Sequence, residues 1–177
     1  MVQGDDLARI IAGCKSGDAQ CFSRVVDMYS SRCYGYFYRS TGNKDISDEL
    51  LSELFVKLVE KIGSYKGGSF ESWLFRIASN IFHDHLRSKQ RRKKLLENRQ
   101  EQAESEIPEP RQSDGELVDR LQSQLGRLDK ETRELIMLRY YSQLSFKEMA
   151  QMRSEPIGTT LAKMHRGLKK LRLLMEG

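Results

Sequence analysis

The sequence predicts an all-α protein made of two small helical domains joined by a flexible acidic linker. The 177 residues include only three prolines, and apolar residues recur every three or four positions, as they do along one face of a helix. Stretches in which β-branched and polar residues alternate, as in a half-buried strand, are almost absent. The helical periodicity breaks near residues 97–115, where hydrophobic residues are scarce, and this break separates the two domains.

Composition and charge narrow the class of protein. Apolar residues make up 38% and charged residues 31% of the chain, which is typical of a globular protein. No apolar run approaches the roughly 20 residues of a spanning helix, and the N-terminus lacks a secretory signal, so we expect a cytoplasmic protein. The net charge of +5 is compatible with a nucleic acid, a membrane or an acidic protein as partner. We expect Cys14, Cys21 and Cys33 to be small buried hydrophobes.

Four helices are predicted in the first domain. The first covers residues 5–13, and a turn with an N-cap at residues 15–18 opens the second. The third begins near residue 45, and its apolar stripe comprises Leu51, Leu54, Phe55, Leu58, Val59 and Ile62. A glycine-rich turn then leads to a long fourth helix, for which Ser69 is the expected N-cap and Ser72 the alternative. This helix ends in a dense run of cations at residues 87–94, for which phosphate is the natural counterpart.

The second domain shows the helix-turn-helix plan. Helices are predicted at residues 129–141, 145–152 and 156–175, after a shorter periodic stretch that starts near Leu117. Pro156 suits the first turn of a helix, where its missing N–H has no partner. The last helix is expected to turn the following residues inward: Ile157, Leu161, Met164, Leu168, Leu171 and Met175. Its basic face fits a DNA groove, and the alternative is a solvated face on a packing helix.

Two motifs carry a resemblance to a known family. Residues 69–80, SFESWLFRIASN, followed by DHLR at residues 84–87, are similar to the promoter-melting region of extracytoplasmic-function (ECF) sigma factors. Leu128-Asp129, Arg139, LSFKEMA at residues 144–150 and PIGT at residues 156–159 resemble the helix-turn-helix of the same family. The two motifs occur in the expected order on either side of the acidic stretch.

The resemblance implies a dissociable subunit of bacterial RNA polymerase that directs the core enzyme to specific promoters and helps open the DNA. Sigma region 2 would span residues 1–95, the linker residues 96–115 and sigma region 4 residues 116–177. The implied partners are the polymerase core and promoter DNA, both duplex and melted single strand. An anti-sigma factor is a further candidate partner, because many relatives are held by one.

In the family, the helix that starts here near residue 45 docks on a coiled coil of the largest polymerase subunit. The residues at matching positions are Asp48, Glu49, Glu53 and Phe55. Exposed carboxylates suit a basic partner, although they are also compatible with a merely solvated helix face. Ser52 departs from the family, which often has Gln beside Glu53, and this departure concerns the detail of docking.

Promoter opening requires that unstacked bases be captured by aromatic or amide side chains beside cations. The resemblance assigns the minus-ten element to Tyr65, Lys66, Ser69, Phe70, Trp73, Arg76, Asn80, His83 and Arg87. We expect a base contact from Asn80, because an amide can pair with a base edge. Trp73 has the alternative role of a core anchor, as a lone Trp in a small domain often has.

The minus-thirty-five element is assigned to the last predicted helix. By resemblance the contacts would come from Pro156, Thr159, Thr160, Lys163 and Arg166. Leu161 stands near where the family commonly has a basic residue. We therefore expect either an unusual element or weaker binding there.

Catalysis, cofactors and a small-molecule substrate are not indicated. His83, Asp84 and His85 are neighbours along a helix and do not converge on one metal ion. Phosphate-binding loops and nucleophile elbows are absent from the sequence. Two other classes remain open: a helix-turn-helix regulator that binds operator DNA without polymerase, and a helical adaptor that binds only protein.

Overall fold

The computed structural model describes residues 4–97 and 116–176, and these residues form eight α-helices and no strand. The helices of the N-terminal domain are α1 (Gly4–Lys15), α2 (Ala19–Thr41), α3 (Lys44–Lys61) and α4 (Phe70–Glu97), with a 3-10 turn at Ile62–Ser64. Those of the C-terminal domain are α5 (Glu116–Gly126), α6 (Lys130–Ser142), α7 (Phe146–Arg153) and α8 (Ile157–Glu176). The all-α prediction is confirmed for this part of the chain. Residues 98–115 of the predicted linker lie outside the described residues, and residues 96 and 97 belong to α4.

Side-chain caps fix where the helices of the N-terminal domain begin. The Asp18 carboxylate accepts the backbone N–H groups of Gln20 and Cys21, and Asn43 accepts that of Ile46. The Ser69 hydroxyl accepts the Ser72 backbone N–H at 3.1 Å, so Ser69 is the cap of α4 and the alternative, Ser72, lies inside the helix. Each cap satisfies donors that the first turn of a helix leaves without an intrahelical partner.

In the C-terminal domain, two helices begin one residue later than predicted, because the predicted first residue of each is its N-cap. Asp129 and Ser145 precede their helices as N-caps and are not the first helical residues. Ser145 and Glu148 form a reciprocal capping box at the start of α7. At the other end of α7, Ser154 adopts φ 53°, a left-handed conformation that turns the chain sharply into α8.

The core of the N-terminal domain is built around α2. The rings of Tyr36, Phe37, Phe75 and Phe82 meet edge to face, with centroids 5.3–6.2 Å apart around Tyr36. Cys14 and Cys33 are buried, as predicted, whereas Cys21 is half-buried. The apolar stripe of α3 differs from the prediction, because Leu50, Leu54 and Leu58 are buried and Val59 is 54% exposed.

The inward face of α8 also differs from the prediction. Buried positions are Thr160, Met164 and Gly167, whereas Ile157, Leu161 and Leu168 are exposed. The reason is close packing on α6: a Cβ on Gly167 would lie 2.4 Å from Cγ2 of Thr132. Ile157, Leu161 and Leu168 therefore face away from the core, whereas Met164 is buried and Leu171 packs against the core, as predicted.

The two domains pack against each other, an arrangement that the sequence did not predict. Helix α6 lies on α2 and α4, and α7 also contacts α4. Buried apolar residues of both domains form one continuous cluster. The described helices include none that is long and apolar enough to cross a lipid bilayer.

The buried face of α3 gives a first test of the fold. Leu54 is fully buried, so Leu54→Ala is expected to lower the free energy of unfolding by roughly 2–5 kcal/mol, because it removes apolar contacts and leaves a cavity. Val56, two residues away, is 58% exposed, and Val56→Ala should change that free energy by less than about 0.5 kcal/mol. Urea unfolding followed by circular dichroism measures both. Equal losses for the two variants would contradict the burial pattern of α3.

Candidate nucleic-acid interface

The outer face of α3 combines carboxylates with apolar side chains. Asp48, Glu49 and Glu53 are exposed and Phe55 is half-buried. Exposed Val56 and Val59 lie on the same helix, and the sequence analysis did not identify them as part of this surface. Val59 was assigned to the predicted buried stripe, and Val56 was assigned to neither face of the helix. A face of this kind fits a partner that offers both cations and apolar surface.

An aromatic cluster supports the loop that leads into α4. The ring centroids of Tyr65, Phe70 and Trp73 lie 5.5–5.6 Å apart. Tyr65 and Phe70 are buried, so their rings pack in the domain and do not face solvent, whereas Trp73 is half-buried. The Tyr65 hydroxyl donates to the Gly68 carbonyl at 2.6 Å, and Gly67 and Gly68 adopt positive φ values of 97° and 91°. Glycine is needed at both positions because other residues are strained there.

Lys66, Ser69 and Arg76 are exposed at and after this loop. The loop therefore has two sides. Its aromatic side chains fix the backbone from within, and its polar side chains face solvent. Of the minus-ten residues taken from the resemblance, Tyr65 and Phe70 occupy supporting positions, whereas these three can reach a ligand directly.

A polar groove of about 300 Å³ runs between the end of α3 and the middle of α4. Its side chains include Lys57, Lys61, Ile77, Asn80, Ile81, His83, Asp84 and Arg87. Asn80 and Arg87 are exposed, and Arg87 pairs with Asp84 at 3.1 Å. Lys57 and Lys61 were not identified from the sequence, although their spacing of four residues places both on one side of α3. An amide flanked by cations can hold a base and the adjoining phosphates.

One wall of this groove is tied to the C-terminal domain through His83. Its Nε2 donates to the Glu134 carboxylate of α6 at 3.0 Å. This hydrogen bond raises the pKa of His83, and the raising outweighs the opposite effects of burial and of the Arg153 and Arg87 charges. Burial by itself would raise the pKa of Glu134, but hydrogen bonds from His83 and Ser79 and the charges of His83 and Arg153 bring it below its ordinary value. The structure therefore favours a charged pair.

The helix-turn-helix presents only part of the predicted minus-thirty-five set. Pro156, Thr159 and Arg166 are exposed near or on α8. Thr160 is fully buried, and its hydroxyl donates to Glu155 at 2.9 Å, so its side chain does not face the outer surface of α8. This placement corrects the expectation of a direct Thr160 contact.

Glu155 organises the start of α8 and was missed by the sequence analysis. Its carboxylate accepts hydrogen bonds from Arg153, Thr160 and Lys163, the last at 2.7 Å. Lys163 also lies 3.4 Å from Glu131. Burial would raise the pKa of Glu155, but these donors lower it overall. The only signal in the sequence was an acidic residue immediately before the helix-initiating Pro156.

The comparisons with known proteins agree with this geometry. Residues 25–92 match the family model for Sigma-70 region 2, and residues 119–171 match that for Sigma-70, region 4. The chain is also 30% identical over 169 residues to the ECF RNA polymerase sigma factor SigW of Bacillus subtilis, covering 89% of this chain and 90% of that relative. This chain belongs to the ECF sigma factor family. The predicted function is thereby confirmed: the protein is a transcription initiation factor that acts with RNA polymerase.

Other relatives of this sigma factor show the same relationship. The ECF RNA polymerase sigma factor SigE of Mycolicibacterium smegmatis is 31% identical over 154 residues, covering 85% of this chain and 60% of that relative. Among solved structures, the sigma factor RpoE in complex with the anti-sigma factor NepR from Bartonella quintana matches with a TM-score of 0.73 at 22% identity, over 88% of this chain and 96% of that chain. CnrH in complex with the cytosolic domain of CnrY matches with a TM-score of 0.67 at 22% identity, over 94% of this chain and 95% of that chain. These structures share the fold.

The histidines of this sigma factor provide a test of the contact between its domains. We expect His83 to titrate above its ordinary pKa of about 6.5 and His85 below it, because burial and the Lys89 charge lower the pKa of His85. Glu134→Gln should lower the pKa of His83 and leave that of His85 unchanged. Histidine-detected NMR across a pH titration measures both, with His85 as the internal control.

The raised pKa of His83 also makes the contact between the two domains depend on pH. Because the pKa of His83 is raised when it contacts Glu134, the stabilisation it gives is complete below its ordinary pKa and is lost as the pH rises through the raised value. Docking of the two domains should therefore weaken toward alkaline pH. An unchanged His83 titration in the Glu134→Gln variant would contradict the His83–Glu134 pair.

Proposed function

We propose that this sigma factor binds the polymerase core through the outer face of α3 and captures the single strand of the minus-ten element in the groove between α3 and α4. The groove carries the proposal. It combines one exposed amide, Asn80, with cationic side chains on two helices. That combination suits unstacked bases on a charged backbone.

Docking on the core uses Asp48, Glu49, Glu53 and the half-buried Phe55. These side chains surround a helix face on which Val56 and Val59 are exposed. The carboxylates steer a basic partner, and the apolar side chains are desolvated once contact forms. The Glu53–Lys57 pair at 3.6 Å lies at the edge of this face, beside the groove that Lys57 also lines.

Opening of the promoter depends on the loop before α4 and on the groove that follows. Lys66, Ser69 and Arg76 hold the upstream edge of the element, while Asn80, His83 and Arg87 receive the melted strand. Tyr65 and Phe70 act by positioning the loop, and Trp73 contributes its exposed edge. This division follows the burial of the three rings.

The minus-thirty-five duplex is read by the helix-turn-helix. Thr159 and Arg166 face outward from α8, and Pro156 precedes the first turn. Lys163 contacts the DNA while it stays paired with Glu155 and Glu131. The Thr160 hydroxyl donates a hydrogen bond to Glu155 and so holds that carboxylate in place. Exposed Ile157 and Leu161 add apolar contacts of the kind that thymine methyl groups accept.

The proposal includes the remaining expectations for the chain. Regions 2 and 4 correspond to residues 1–95 and 116–177, with residues 96–115 connecting them. The protein works in the cytoplasm with polymerase core and promoter DNA, catalyses no reaction of its own and needs no cofactor. An anti-sigma factor that covers α3 or the groove is its expected controller.

Run-off transcription tests the proposal directly. Core polymerase is incubated with a genomic fragment library, with and without this protein, and the RNA starts are sequenced. New starts that require the protein and share two spaced upstream elements are the expected result. An operator-binding regulator would instead bind duplex DNA without core and produce no new starts, and that outcome would overturn the proposal.

Asn80 provides a residue-level prediction. Asn80→Ala should reduce open-complex formation by about tenfold, or about 1.4 kcal/mol, because a side-chain contact with one base is worth about 1–3 kcal/mol. Permanganate reactivity of the minus-ten thymines measures opening, and co-elution with core measures assembly, which should not change. Gln90→Ala is the matched control, since it removes an exposed amide from the same helix outside the groove. Equal effects from the two variants would exclude a base contact at Asn80.

A further inference from the structure

Lys15 joins α1 to the loop that leads into α4. Its Nζ donates a hydrogen bond to the Tyr65 carbonyl at 2.6 Å and lies 5.4 Å from the centroid of the Tyr65 ring. A lysine ammonium within about 6 Å of an aromatic face is attracted by the electrons of the ring. Lys15 therefore holds both the backbone and the ring of one loop residue.

The helix that carries Lys15 provides a firm base for this contact. On α1, Ile10, Ile11 and Cys14 are buried and belong to the apolar core. Lys15 is the last residue of α1, and this helix also lies against the 3-10 turn that immediately precedes Tyr65. Any movement of Tyr65 away from α1 must therefore break the Lys15 contact.

The loop itself has little regular structure to fix it. Residues 65–69 are not helical, and Gly67 and Gly68 allow their backbone more conformations than other residues would. The Tyr65 hydroxyl closes the loop by donating to the Gly68 carbonyl. Tyr65 is thus bound to α1 at its backbone and to the far side of the loop at its hydroxyl, so the conformation of the loop depends on it.

Helix α1 lies outside the part of the chain that matches the family model. The match to Sigma-70 region 2 begins at residue 25, whereas α1 ends at Lys15. The minus-ten residues taken from the resemblance begin only at Tyr65. A role of α1 in promoter opening therefore follows from its contact with Tyr65 and not from the family.

We infer that Lys15 is a positioning residue for promoter opening, which fixes Tyr65 and thereby sets where the exposed side chains of Lys66 and Ser69 meet the minus-ten element. The inference rests on the role proposed above for this loop. Lys15 acts through Tyr65 and does not bind DNA, because its ammonium is occupied by the Tyr65 carbonyl and ring. A loop fixed in advance avoids the entropy cost of ordering it on the DNA.

Trp73 reports on the loop before any DNA is added. It is the only tryptophan of the chain, it is half-buried, and its ring centroid lies 5.5 Å from that of Tyr65. Lys15→Met removes the ammonium of an exposed residue and keeps an unbranched side chain, so the full chain should keep its helical content by circular dichroism. Its Trp73 emission should shift to longer wavelength, and acrylamide should quench that emission more strongly. Lys15→Arg should restore both values, since a guanidinium can donate to the same carbonyl and stack on the ring.

Promoter opening is then measured with core polymerase on a promoter found in the run-off experiment. Lys15→Met should lower the permanganate reactivity of the minus-ten thymines about tenfold, the effect of losing one hydrogen bond from a charged donor. Lys15→Arg should open the promoter as the wild type does, and co-elution with core should be the same for both variants. The slope of log affinity against log salt should stay unchanged, because Lys15 neutralises no phosphate.

Arg9→Met is the matched control, since it removes one exposed cation from the same helix. It should change neither Trp73 emission nor promoter opening. Any of three results for Lys15→Met would overturn the inference: wild-type Trp73 fluorescence, wild-type promoter opening, or a fall of about 0.9 in the salt slope, which would show that Lys15 binds a phosphate directly. Failure of the proposed function itself is seen separately, as the absence of new polymerase-dependent starts with the wild-type protein.

Discussion

The hydrogen bond from Tyr36 to Glu134 connects the two halves of this molecule. The Tyr36 ring is fully buried among Phe37, Phe75 and Phe82, so its hydroxyl cannot reach water and must find an acceptor inside the protein. Glu134 supplies that acceptor from the C-terminal domain, and burial together with the Glu134 charge raises the pKa of Tyr36. The aromatic core of one domain is thereby completed by a carboxylate of the other.

Carboxylates have two separate uses in this sigma factor. Glu134 and Glu155 belong to the C-terminal domain, and each accepts several hydrogen bonds. These hydrogen bonds fix the helices that carry the donors. The carboxylates of the outer face of α3 are exposed, and Glu53 pairs with Lys57 on the same helix. The first kind connects α6 to α2 and α4 and fixes the turn from α7 into α8, and the second kind is exposed.

Much of the fold could be predicted because local signals and helical periodicity agree. The cap at Ser69, the acidic residues of α3 and the helix-turn-helix were all evident in the sequence. Periodicity identified only part of the buried face of α8, because the buried positions include Thr160 and Gly167, a hydroxyl-bearing residue and a glycine, which no scale of hydrophobicity selects. Packing with Thr132 and hydrogen bonding with Glu155 decided the orientation instead.

The contact between the domains could not be predicted from the sequence, for a related reason. Glu134 looks like any solvated carboxylate until its four donors are brought together by distant parts of the chain. Gly35 was the one local sign, an unfavourable residue in the middle of a helix, and its cause lies in Tyr141 more than a hundred positions away. Lys57 and Lys61 escaped notice because only the pairing of α3 with α4 makes them neighbours of Asn80.

The ion pairs of Lys163 have a consequence for how ionic strength affects promoter binding. A lysine that neutralises a DNA phosphate releases a condensed counterion, and each such contact adds about 0.9 to the slope of log affinity against log salt. The Lys163 ammonium is already compensated by Glu155 at 2.7 Å and Glu131 at 3.4 Å, so it contributes little to this release. In the proposed complex, the salt sensitivity of promoter binding would therefore come from the other exposed cations of α8, such as Arg166, and from the basic end of α4, and not from Lys163.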